Sequence, residues 1–156
     1  MSLAEVSNIL RRERNVLEQL LFKLTEEQRW LEAGDVWALA VATHEVDEAL
    51  GEVGHTELLR AIEVQLVADE LGLSDGSSLR QLAEAAPSPW STILRSHYEE
   101  LRSLTAEITR LARANRMRRS HADAVLDAIE PLRRDVEWDA PNTSAGVCPS
   151  LVDFLK

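Results

Sequence analysis

The sequence predicts an all-α protein, an elongated antiparallel bundle of three long helices with one short extra helix and an irregular C-terminal tail. Apolar residues recur every seventh position in two separate stretches. Leu3, Leu10, Leu17, Leu24 and Leu31 form one line, and Leu94, Leu101, Ile108, Asn115, Ala122, Ile129 and Val136 form the other. That period belongs to helices packed lengthwise against one another. Leucine and alanine are abundant, while Phe, Tyr and Gly number only 2, 1 and 6 in 156 residues, a composition that favours helices over sheets. One domain of this size buries most of the surface its unfolded chain exposes. We divide it into a bundle over residues 1–137 and a tail over residues 138–156.

The first helix starts at Ser2, whose spacing to Glu5 is that of a capping box, and runs to Gly34, about 45 Å at 1.5 Å per residue. Val6, Leu20 and Leu21 support its leucine line, but Glu13 and Glu27 also fall on the seam. An acid there must be open to water or paired with an arginine from another helix. Gly34 suits a helix C-terminus and Asp35 can cap the next helix at once. So short a link sends the second helix back antiparallel. Its apolar positions are Val36, Leu39, Val46, Leu50, Val53, Leu58, Ile62, Leu66 and Leu71, and the spacing slips at Gly51 and Gly54, where we expect a bend, a fray or a close helix approach.

Gly72 to Ser78 reads as a loop. A short helix follows over residues 79–86, capped by Ser77 or Ser78, with Leu79, Leu82 and Ala83 inward. Pro87 closes it, and Ser88 with Pro89 opens the long third helix. Leu104, Leu111, Val125 and Leu132 form the companion line of that helix, and Pro131 should kink or stop it. Asn115 is the polar member of the seam and is expected to set its register. Trp30, Trp37, Trp90 and Trp138 fall near helix ends, where the plain reading is a cap on the bundle core. Trp138 is set apart, at the point where helix becomes tail. The tail ends in Leu151-Val152-Asp153-Phe154-Leu155-Lys156, an apolar tag that is either a disordered end or an occupant of the bundle's own partner groove.

The net charge of −10 and pI near 4.9 speak against nucleic acid as the main ligand. Most of the charge lies between Asp35 and Asp75, where Arg60 is the single base. Arg110, Arg113, Arg116, Arg118 and Arg119 form a basic run without an acid up to Ala122, expected to pair with the acidic second helix. Cys148 is the only cysteine, which rules out an intrachain disulfide and fits a reducing cytoplasm. Neither a signal-like start nor a membrane-length apolar run is present.

Catalytic and metal motifs are missing as constellations. Glu52-Val53-Gly54-His55 has the Glu-x-x-His spacing of di-iron bundles, which need it twice. His44, His97 and His121 each lack a glutamate three residues earlier. Nucleophile elbow, phosphate loop and dinucleotide fingerprint are all absent. The expectation is a non-enzymatic binding protein without cofactor or metal.

The arrangement as a whole resembles a known family. A leucine-rich first helix, a short reversal, an acidic second helix, a loop, and a long third helix carrying Leu111-Ala112-Arg113-Ala114-Asn115 and then Leu126, Ile129 and Leu132 is similar to the FlgN family of flagellar export chaperones. That family's third helix typically carries Leu-Asn-x-x-Asn and then a leucine pair. Asn115 matches the second asparagine, while Ala112 stands at the first and Arg118-Arg119 at the leucine pair. The resemblance implies a cytoplasmic type III secretion chaperone that holds the C-terminal amphipathic segment of hook–filament junction proteins of the FlgK and FlgL type. It would deliver them to the export gate at the membrane. It also implies a partner-binding region in the late third helix and tail, here Val125, Leu126, Ile129, Leu132, Val136, Trp138, Leu151, Val152, Phe154 and Leu155. Some members are thought to engage the gate through a tail tyrosine. This tail has none, so that contact either falls to Trp138 or Phe154 or is absent. The competing reading is a coiled-coil-like adaptor or homo-oligomeric structural bundle that uses its seams on copies of itself.

Overall fold

The computed structural model describes residues 2–129 and 154–156, and the expected elements follow in order: α1 (Leu3–Ala33), α2 (Val36–Glu70), α3 (Leu79–Ala85) and α4 (Trp90–Ile129). The start of α1 is fixed by the Glu5 side chain, which accepts from the Ser2 backbone N–H at 3.2 Å. Gly34 ends it in the left-handed region at φ 70°, with its N–H donating to the Trp30 carbonyl. Asp35 accepts from the Ala38 N–H at 3.0 Å and so turns the chain straight into α2. Ser78 and Gln81 cap α3 reciprocally, and Leu79, Leu82 and Ala83 point inward as expected.

α1 is the central helix. α2 packs along it antiparallel, α4 packs along it parallel, and α2 and α4 scarcely touch each other. The α1 positions between them, Leu10, Glu13, Leu17, Leu20 and Leu24, are buried. The α1 heptad holds through its middle: Val6, Leu10, Leu17, Leu20 and Leu24 are buried in one apolar cluster with Leu94, Leu101, Ile108 and Leu111 of α4. α3 packs on α4 near its start.

The two seam acids are both paired with arginine. Glu13 is fully buried, and its Oε1 accepts from Arg60 Nη1 of α2 at 2.6 Å. Glu27 meets Arg119 of α4 at 2.7 Å and accepts from Thr43 of α2 at 3.0 Å. Asn115 donates to the Leu24 carbonyl at 2.9 Å and to Glu27 at 3.2 Å. A third polar contact joins Ser7 of α1 to His97 of α4 at 2.9 Å.

The α2 expectation needs correction in its phase. Val46 and Val53 are buried, but Val36, Leu58, Ile62 and Leu66 are exposed, and Thr43, Thr56, Glu57 and Arg60 take inward positions instead. The reason is the partner. The inward line is the one that brings Arg60 onto Glu13, and leaving that glutamate unpaired would cost several kcal/mol. The helix also runs unbroken through Gly51 and Gly54, where an added Cβ would meet nothing within 4 Å, so neither glycine serves a close approach within the described residues. The arginine run likewise finds other partners than expected. Arg118 pairs with Glu32 and Arg119 with Glu27, both on α1, and Arg110 pairs with Glu107 on its own helix.

Burial holds the His97 imidazole below its ordinary value near 6.5, against the opposing pull of Glu100. A depressed histidine contributes stability that is present above the ordinary value and lost as pH falls through the folded-state value. Thermal melts between pH 7.5 and 5.5 should therefore show Tm falling on the acid side. His97→Gln, which cannot titrate, should flatten that part of the profile.

Candidate partner-binding surface

The register between α1 and α4 puts Ser7 beside His97 and Leu24 beside Asn115. At that offset α1 ends about level with residue 124, so α4 runs past it by about five residues, roughly 8 Å. Val125, Leu126 and Ile129 belong to this overhanging stretch of helix, and their side chains lie outside the described residues. Leu132, Val136, Trp138, Leu151 and Val152 lie outside the described residues altogether, as do Pro131 and Cys148.

At the same end of the bundle, where α1 turns into α2, large apolar side chains face solvent. Trp37 is 87% exposed, Val36 and Val41 are both about 60% exposed, and Trp30 of α1 is exposed as well. Trp30 and Trp37 therefore do not cap the core as the plain reading expects, while Trp90 does pack against it. Burying such side chains is worth roughly 1.5–3 kcal/mol each, which makes this end of the bundle a candidate interaction surface. A second apolar line, Leu58, Ile62 and Leu66, runs along the outer face of α2 at four-residue spacing. His44 and His55 also lie on outward positions of α2.

The tag is a different case. Phe154 and Leu155 are buried and belong to the same apolar cluster as Leu10, Val53 and Leu101. The Phe154 ring lies over the Arg60 guanidinium, 4.4 Å from Cζ to the ring centroid. Arg60 is thus held on three sides, by Glu13, by Glu57 at 3.5 Å, and by the aromatic face. Burial raises the Glu13 carboxyl above its ordinary value in spite of the opposing Arg60 charge, and Oε2 of Glu13 has no hydrogen-bond partner among the described residues.

Sequence reasoning missed the Val36–Trp37–Val41 cluster and the outer α2 line. The signal was present. α2 has more large apolar residues than one helix can turn toward a single neighbour, and they fall on two separate lines. Arg60, the one base of an acidic stretch, was a similar signal for an internal partner.

No helix among the described residues is long and apolar enough to cross a membrane. Among the described residues, the groove between α1 and α4 is lined mainly by charged side chains, Arg14, Glu18, Glu99, Glu100 and Glu107. A family model described as FlgN protein matches residues 1–122. No curated protein and no solved structure matches the chain.

Proposed function

Because this chain belongs to the FlgN family, a family of non-enzymatic flagellar export chaperones, we propose that it binds the C-terminal amphipathic segment of FlgK- or FlgL-type junction proteins in the cytoplasm. Delivery to the export gate follows from the same reading. In this reading the client helix parts α2 from α4 along α1, entering over the end of the bundle where the late α4 residues Val125, Leu126 and Ile129 extend past α1. Leu132, Val136, Trp138, Leu151 and Val152 complete the partner-binding set, and Asn115 fixes the register between α1 and α4.

The observation that supports this reading is the exposed group Val36, Trp37 and Val41, at the end of the bundle where α4 runs past α1. An amphipathic helix recognises a groove through anchors at three- and four-residue spacing, and exposed tryptophans make the strongest anchors. The junction proteins' shared C-terminal segment is the ligand with that chemistry.

The test is co-purification of the full chain with a junction protein, wild type against Trp37→Asp/Val41→Asp. Both side chains face solvent, so the double variant should melt within a degree or two of wild type. Loss of two anchors should weaken capture by roughly 30-fold or more. Undiminished capture by the double variant would move the binding surface elsewhere. Failure of wild type to capture any junction protein would refute the reading.

A further inference from the structure

We propose that the site around Arg60 is the far end of the client's path along α1, and that the chain's own Phe154–Leu155 pair occupies it until an amphipathic client helix displaces it. This rests on the function proposed above and adds a second contact, about twenty residues of helix away from Trp37. Glu13, level with Arg60, stands twenty positions before Ala33 on α1, or roughly 30 Å. A client segment that passes from that end of the bundle into the seam over this distance places an apolar side chain over the guanidinium.

Three observations point to an exchangeable occupant rather than a fixed part of the core. The floor of the site is ionic: Arg60 carries Glu13 at 2.6 Å and Glu57 at 3.5 Å beneath the Phe154 ring. When an aromatic leaves such a floor, water hydrates the exposed charges, whereas a vacated apolar pocket keeps an empty cavity. The floor and its occupant also have different standing in the chain. Glu13, Glu57 and Arg60 lie within the residues matched to the family, 1–122, and Phe154 and Leu155 lie beyond them. Reach sets no obstacle either. About two dozen residues separate the last turn of α4 from Phe154, and an extended chain of that length spans roughly 80 Å.

A cation–π contact on a desolvated arginine is also a recognition element of defined chemistry. It selects an aromatic side chain first and a leucine second. The client chemistry is therefore an amphipathic helix that presents an aromatic–aliphatic pair at its Arg60-proximal end.

The experiment labels the single cysteine, Cys148, of the full chain with a fluorophore and follows its anisotropy. The probe is a synthetic peptide of the junction protein's C-terminal amphipathic segment, its binding measured in parallel by calorimetry. Displacement of the pair lowers the anisotropy as peptide saturates. Phe154→Ala should start at the lower anisotropy and bind the peptide about 10-fold more tightly, because the competing state has been removed. Phe154→Leu keeps an apolar side chain in the site and should give a smaller gain, which separates release of the tail from any general loosening of the fold. Peptide that binds without changing the anisotropy, with equal affinity for wild type and Phe154→Ala, overturns this inference and leaves the proposed function standing. Peptide that does not bind at all overturns both.

Discussion

Arg60→Ala is expected to lower stability by about 3–5 kcal/mol, the usual cost of removing one partner of a buried ion pair, and to lower Tm by roughly 10 °C. The change leaves Glu13 inside the bundle, fully buried with no cation near it, and deprives Glu57 of its partner. It also removes the platform under the Phe154 ring. Adding Glu13→Leu should recover a large part of the loss, since the second change removes the stranded carboxylate and returns an apolar residue to an apolar seam. The loss should also depend on pH. Burial already raises the folded-state value of Glu13, so the stability it contributes is present at low pH and lost as pH rises through that value. Without Arg60 the value rises further. The deficit of Arg60→Ala relative to wild type should therefore be larger at pH 7 than at pH 5, as denaturant melts at the two pH values would show.

Leu17→Ala and Leu101→Ala should each cost about 2–5 kcal/mol, because both side chains are fully buried where α1 and α4 meet and truncation leaves a cavity. Leu58→Ala makes the same chemical change on the outer face of α2, where the side chain is 66% exposed, and should change stability by no more than about 0.5 kcal/mol. Urea unfolding of the three variants gives the comparison directly. A large loss for Leu58→Ala would mean that this line is covered in the folded protein.

That contrast also marks what could be read from the sequence. α1 and α4 were legible because one apolar line dominates each, at the period of lengthwise packing, and because Gly34, Asp35 and Ser78 mark ends with local chemistry that needs no tertiary context. The glutamates on the α1 seam announced either an opening to water or an arginine partner, and burial settles it in favour of arginine. α2 was misread in phase because it carries two apolar lines. Which one turns inward is decided by a contact 47 residues away, Arg60 on Glu13, and no local periodicity encodes that. The arginine run was assigned to the acidic α2 by charge alone. α4 lies parallel to α1 and scarcely meets α2, so its arginines reach Glu27 and Glu32 of α1 instead. Long-range charge balance names the sign of a partner but not the helix that bears it.

The candidate partner surface was legible only in part. The terminal tag Leu151–Leu155 stood out as apolar residues after a loop-like stretch, and its last two apolar members are buried on the bundle. Trp37 and Val41 did not stand out, because near a turn an exposed tryptophan and a capping one look alike in sequence.

Calorimetric titration of the full chain with a junction protein's C-terminal segment, repeated at several temperatures, tests the central claim most directly. A chaperone that receives an amphipathic helix along an apolar seam should give saturable one-to-one binding with a clearly negative heat-capacity change, the mark of buried apolar surface. Absence of saturable binding, or binding whose enthalpy does not vary with temperature and which Trp37→Asp/Val41→Asp leaves untouched, would contradict it.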